Sequence, residues 1–318
     1  AKSSCLPTEQ PHPATVGLDE VCRYDTSAGV TMLRKVDRDI PPKAIQVFAS
    51  KEYRQLTVAM EQALRLGGRI VFSGCGATGR LSILLEAVWR KACRSGRYPA
   101  AQPYEDKVFS IMTGGDYALV RSVEFFEDYE SFGRRQTRDL QVGPWDAFVA
   151  ITEGGETSSV IGSALEAADA GATVFLAFNN PADILCDKIE RSRQAIHDPR
   201  ITVLDLHTGP MAIAGSTRMQ AVTAELLVVG SALEEVFAHL AGLPENVLPE
   251  PVAALTRLLD ELDADANRRT FAAAIEFEED VYRRNGLVTY FADQTLLDIF
   301  TDTTERAPTF MLPPFVKD

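Results

Sequence analysis

Short apolar runs alternate with amphipathic stretches along most of the chain. In residues 52–66, Leu56, Met60, Ala63 and Leu64 recur on one side at helical spacing. Arg69-Ile-Val-Phe-Ser73 follows as a β-type run into the glycine loop Gly74-Cys-Gly-Ala-Thr-Gly-Arg80, and helical spacing resumes over 79–95. Further runs at 107–112, 147–151, 173–178 and 201–206 read as strands, with turn signals such as Gly143-Pro144 and Asn179-Asn-Pro181 between them. Helices are expected from Asp116 to about Tyr129, from the end of Thr152-Glu-Gly-Gly-Glu-Thr157 through Ala170, and from Ser216 to about Leu240. This alternation predicts an α/β fold, a five-stranded parallel sheet covered by helices on both faces.

The flanks read differently. Residues 1–48 carry Pro7, Pro11, Pro13, Pro41 and Pro42, which predicts an extended N-terminal arm with one short helix near Ile45. The sheet domain fills 49–242. Beyond it, Pro244, Pro249 and Pro251 mark a linker, 252–282 read as two helices, Leu287-Val-Thr-Tyr-Phe291 as a strand and 294–300 as a short helix before Thr309-Phe-Met-Leu312. Residues 243–318 therefore read as a helical linker and the start of a second sheet domain, which they are too few to complete. A longer parent chain is the expectation.

Ligands of parallel sheets bind at the carboxyl ends of the strands, near the switch in strand order. The polar loops 73–80, 113–116, 152–157 and 207–217 all follow strands and so share that edge. The unit 69–89 aims backbone N–H groups and a helix N-terminus at one point, which suits an anion, and Thr78 adds a hydroxyl. Gly74-x-Gly76-x-x-Gly79 also fits a dinucleotide fingerprint, which needs an acid about 20 residues on, at the end of the second strand. Glu86 lies inside the helix and Asp116 is too far along, so NAD or FAD is the weaker reading. A glycine turn that merely joins strand to helix is the plain alternative.

Composition narrows the partners. The 318 residues are 46% hydrophobic, enough for a substantial core in one large domain or up to two ordinary ones. Net charge is −13, and no basic cluster exceeds Arg134-Arg135 or Arg268-Arg269, which points away from nucleic acid and anionic membranes. The five cysteines are odd in number and form no CxxC, as expected of reduced thiols in a cytoplasmic protein. Cys75 reads as a small loop filler rather than a nucleophile. The four histidines are scattered, so no zinc site is expected, and no apolar run reaches membrane-spanning length.

Taken together, the loops resemble the sugar isomerase (SIS) fold, and in particular the group of N-acetylmuramic acid 6-phosphate etherases and glucokinase regulatory proteins. Gly74-Cys-Gly-Ala-Thr-Gly-Arg-Leu81 is similar to the phosphate loop G-x-G-T-S-G-R-[LM]. Gly114-Gly-Asp-Tyr117 with Val123-Glu-x-x-Glu-Asp128 is similar to the second signature, and Gly215-Ser-Thr-Arg-Met219 to the G-S-S-R-M turn. Thr8-Glu9 and Leu18-Asp19 fit the group's N-terminal arm, and the resemblance covers about residues 8–240. It implies that Gly76, Ala77, Thr78, Gly79 and Arg80 face a sugar phosphate, that Gly154, Gly155, Thr157 and Ser158 complete the cradle, and that Ser216 and Thr217 face the sugar. Each of these Ser and Thr residues also fits an ordinary helix N-cap. Pairing of SIS domains, supported by the long apolar helix after Ser216, implies a homo-oligomer, and the regulatory branch implies a sugar kinase as partner. Neither metal nor other cofactor is expected.

The departures bear on chemistry. Etherases place a catalytic glutamate where this chain has Val88, and Glu86, two residues away, faces roughly the opposite side of the helix. Glu127 matches the second family glutamate, with Glu124 one turn earlier on the same face. Eliminating lactate from a 3-O-lactyl sugar needs two carboxylates with separated pKa values. With one missing, the expectation is a sugar-phosphate-binding protein, regulatory or sensing, without full etherase machinery. The alternatives are an etherase (lyase) using Glu127 as base, or a sugar-phosphate isomerase.

Overall fold

A computed structural model describes residues 5–120, 124–217, 219–244, 247–293 and 299, with the side chains of Val120 and Glu124 outside that description. After two single 3-10 turns, Pro7–Glu9 and Pro13–Thr15, come α1 (Leu18–Tyr24), α2 (Thr26–Val36) and α3 (Ile40–Phe48). The expected extended arm is thus largely helical. α3 is the short helix expected near Ile45, with Pro41 and Pro42 in its first turn, where no N–H is required; α1 and α2, which contain no proline, were not expected. Asp25, whose side chain accepts from the Ala28 N–H at 2.9 Å, starts α2.

Next come α4 (Lys51–Arg65), β1 (Ile70–Gly74), α5 (Gly76–Arg94) and β2 (Val108–Met112). The Ser50 side chain caps α4 by accepting from the Tyr53 N–H at 3.1 Å. The helix expected from Asp116 to Tyr129 is instead α6 (Asp116–Val120) and α7 (Glu124–Glu127). An unexpected α8 (Glu130–Asp139) then precedes β3 (Ala147–Ile151) and α9 (Ser158–Asp169). α8 is charged on most sides, so its apolar pattern is faint. It packs because glycines admit backbone: a Cβ on Gly133 would lie 1.7 Å from the Ser159 carbonyl oxygen, and one on Gly162 2.1 Å from that of Glu130.

β4 (Thr173–Phe178) is followed by two short helices that the sequence reading omitted, α10 (Ala182–Lys188) and α11 (Glu190–His197), and then by β5 (Ile201–Asp205). α12 (Gln220–Leu240) begins four residues later than Ser216. α13 (Pro251–Leu262) and α14 (Asp265–Arg283) are the two expected C-terminal helices. The strand expected over 287–291 is absent: α14 ends at Arg283, Asn285 turns the chain with φ 57°, and residues up to Asp293 run on irregularly with no strand pairing among the described residues. The helix expected at 294–300 and the segment 309–312 lie outside the described residues, apart from Ile299.

The five strands form one parallel sheet in the order β2-β1-β3-β4-β5. Side chains alternate between two cores. Phe72, Val149 and Phe175 pack with α4, α5 and α12, whereas Val71, Phe148 and Val174 pack with α9 and α11. Both faces being buried explains why the strands read as continuous apolar runs. Strand order reverses between β1 and β3, so a crevice opens there at the carboxyl edge. The helices that leave these strands, α5 and α9, go to opposite faces and leave their N-termini on either side of it.

Candidate functional site

The crevice is built from short turns. β1 ends at Gly74, and Gly76, with φ +56°, is already the first residue of α5. Gly79 lies so close to the β2 end that a Cβ there would sit 2.7 Å from Met112 Cγ. The glycine loop is therefore tighter than expected, and α5 starts three residues earlier. Thr78 is fully buried, and its hydroxyl accepts from the Cys75 N–H at 3.1 Å and donates to the Cys75 carbonyl at 2.9 Å. It acts as a local brace from the third position of α5, whose N-cap is Cys75. Ala77 and Arg80 are also buried.

The turn after β3 behaves differently. The Thr157 side chain does not cap α9 but accepts from the Thr152 hydroxyl at 3.1 Å. The first turn of α9, opened by buried Ser158, therefore has no N-cap side chain over its N–H groups. Gly154 is half-buried with room for a Cβ, which would touch only the Glu156 side chain at 3.5 Å, whereas Gly155, at φ +74°, has its carbonyl taken by Ser192 Oγ at 2.7 Å. Ser216 is buried and Thr217 half-buried, both in the loop ahead of α12.

Hydrogen bonds link neighbouring strand ends. Thr113 after β2 donates its N–H to the Gly74 carbonyl at 3.0 Å and shares a hydroxyl bond with Ser159 of α9 at 2.8 Å. The Asn179 N–H reaches the Glu153 carbonyl at 3.0 Å. Asn180 Nδ2 donates to the Gly154 carbonyl and to Thr8 Oγ1, each at 2.9 Å, while the Thr8 carbonyl accepts from the Gly215 N–H at 2.9 Å. Thr8 of the N-terminal stretch thus ties the turns after β3 and β4 to the loop ahead of α12.

Carboxylates crowd this edge. The Cys75 thiol donates to Glu127 Oε2 at 3.7 Å. Desolvation, and after it the Glu127 charge, push that thiol up to about 12, so Cys75 stays protonated and inert as a nucleophile. Glu124 lies in the same short α7, with its side chain outside the described residues. Glu86 is engaged elsewhere, accepting from Ser110 Oγ at 2.6 Å and Arg90 Nε at 3.0 Å, and Val88 is 51% exposed on the outer side of α5.

A profile for the glucokinase regulatory protein N-terminal SIS domain matches residues 51–168. The N-acetylmuramic acid 6-phosphate etherase of Deinococcus radiodurans is 30% identical over 254 residues, covering 80% of this chain and 75% of that protein. The chain belongs to the SIS group of etherases and glucokinase regulatory proteins. The etherase of Yersinia pestis is 29% identical to this SIS protein over 255 residues, covering 80% of it and 78% of the relative. A phosphoheptose isomerase from Neisseria gonorrhoeae superposes with a TM-score of 0.44 at 12% identity, over 70% of this chain and 98% of its own. No helix among the described residues is long and apolar enough to cross a membrane.

Sequence reading missed one residue of this SIS protein's edge that spacing could have found. Glu225 follows Ala221 and Val222 and precedes Val228 and Val229 on the buried stripe of α12, and it is fully buried. One of its oxygens accepts from Asn179 Nδ2 at 2.9 Å. Burial raises its pKa well above the usual range, and the nearby Glu153 charge adds to this. The folded state thus holds this proton more tightly than the unfolded chain. The associated stability is complete below the unfolded value of about 4.3 and is lost as pH rises through the folded one. Glu225→Gln mimics the protonated acid. Its stability should exceed that of the unaltered protein by a margin that widens as pH rises above about 4.3, by about 1.4 kcal/mol per pH unit until the folded pKa is passed. Parallel melting curves across that range would contradict the assignment.

Proposed function

We propose that this chain binds a sugar phosphate in the crevice between β1 and β3 and does not carry out etherase turnover. The observation that carries the reading is the pair of helix N-termini, α5 and uncapped α9, facing one crevice across the switch in strand order. N–H groups of both first turns would hold the dianionic head, with Gly76, Gly79, Gly154 and Gly155 letting the backbone approach it. Ser216 and Thr217 would face the sugar, and Glu127 would accept from one of its hydroxyls. Loss of turnover follows from Val88. Elimination asks for a base and a separate acid, and an exposed valine replaces one of them. A regulatory or sensing role is the use that remains for binding without cleavage. The alternative, a lyase with Glu127 as base, is favoured by that residue's place beside the glycine loop and by the etherases among the relatives at 29–30% identity.

Calorimetric or thermal-shift titration with fructose 6-phosphate and N-acetylmuramic acid 6-phosphate tests the reading. Ligand at a hundredfold excess over Kd should stabilise the protein by about 2.7 kcal/mol. Gly154→Asp puts a negative charge in the cradle where a Cβ meets nothing closer than 3.5 Å. It should leave the ligand-free melting temperature nearly unchanged and abolish the shift. Equal shifts in both proteins would place the anion elsewhere.

A further inference from the structure

Two polar residues, Gln220 and Glu225, are fully buried on α12. Gln220 is satisfied at both ends: its Oε1 accepts from the Ala212 N–H and its Nε2 donates to Asp37, each at 2.9 Å. Glu225 is not. Its Oε2 has no partner among the described residues, and neither does Oδ1 of Asn179, the side chain that donates to the other Glu225 oxygen. Orphaned buried polar atoms cost roughly 1–3 kcal/mol each. Two of them on hydrogen-bonded neighbours at a ligand-binding edge call for a missing partner.

The chemistry of that partner can be read from the pair. Held neutral, Glu225 offers an O–H, while Asn179 Oδ1 offers a lone pair. One donor beside one acceptor complements a hydroxyl group, which accepts one bond and donates one. Asn179 directly follows β4, and its N–H is bonded to the Glu153 carbonyl in the turn that leads to α9. The pair therefore adjoins the anion crevice.

We propose that Asn179 and the Glu225 carboxyl form a hydroxyl-reading subsite, which takes a sugar hydroxyl while the α5 and α9 N-termini take the phosphate. The subsite rests on the sugar-phosphate reading above. Among the described charged groups on the elements around it, Glu153 after β3 acts on the Glu225 carboxyl. His207 after β5 has its Nδ1 3.3 Å from the Asn179 carbonyl and 3.2 Å from the Gly209 nitrogen, and Asp37 is held by Gln220. Ionising Glu225 removes the donor and adds a charge beside Glu153 and the phosphate, so sugar-phosphate affinity falls as pH rises.

Calorimetric titration with fructose 6-phosphate and, separately, inorganic phosphate, over a pH series that runs upward from above the phosphate's own titration near 6, tests this. The unaltered protein should prefer the sugar phosphate and bind it more weakly at the alkaline end. Glu225→Leu should weaken fructose 6-phosphate roughly tenfold and leave inorganic phosphate unchanged. Glu225→Gln retains a donor, so it should bind within a few-fold of the unaltered protein at about pH 7 and show a flat profile. An equal loss of both probes in the leucine variant, an unchanged preference, or a glutamine profile that tracks the unaltered protein would overturn the subsite and leave the anion site standing. Failure of the unaltered protein to bind either probe would remove the anion site, and the subsite with it.

Discussion

Gly74→Ala is expected to destabilise the protein by about 3 kcal/mol or more, the upper range for overpacking. A Cβ at Gly74 would lie 2.4 Å from both the carbonyl carbon and oxygen of Thr78 and 2.6 Å from the Gly79 nitrogen. All three are backbone atoms of the first turn of α5, so no side chain can rotate out of the way. Either the helix N-terminus lifts from the strand end or β1 shifts in its register with β2, where Gly74 pairs with Met112. Both movements also dismantle the turn that aims N–H groups at the crevice. Urea unfolding should show a much lower midpoint, and the residual folded protein should not bind sugar phosphate. A midpoint like that of the unaltered protein would mean that the turn is not closed as described.

Asn180→Ala should cost about 2–4 kcal/mol, because one fully buried carboxamide makes three bonds at the edge of the site. Its Nδ2 donates to Thr8 Oγ1 and the Gly154 carbonyl, and its Oδ1 accepts from the Thr8 N–H at 3.2 Å. Alanine leaves the Thr8 N–H and the Gly154 carbonyl buried without these partners. The N-terminal stretch should come loose from the loop before α12, which it holds through the Thr8 carbonyl and the Gly215 N–H. Limited proteolysis should then cut near residues 5–17, sites that the unaltered protein protects. Unchanged cleavage with an unchanged midpoint would show that the arm is held by other contacts.

The sheet was legible because its strands are buried on both faces and so appear as bare apolar runs of strand length. The expected 147–151 and 173–178 are the observed β3 and β4. Convergence of the loops followed from topology alone, since successive strands in a parallel sheet must end at one edge. What stayed hidden depends on contacts between distant residues. α8 is fixed by Gly133 and Gly162 meeting backbone across a helix pair, which no local pattern reports. Of the N-terminal helices, α3 is the short helix expected near Ile45, whereas α1 and α2 were hidden by the prolines on either side of them, which read as an extended arm. The tie between Thr8 and Asn180 spans 172 residues. At the site, sequence could name Thr78 but not that its hydroxyl braces Cys75, and a strand was expected at 287–291 where no partner strand pairs among the described residues.

The central claim is recognition without cleavage, and one incubation tests it most directly. The protein is mixed with N-acetylmuramic acid 6-phosphate under conditions where calorimetry registers binding, and released D-lactate is followed over hours. The expected result is saturable binding with no lactate above the protein-free control. Catalytic release of lactate, many equivalents per protein chain, would contradict it and make Glu127 the base of a working lyase despite Val88.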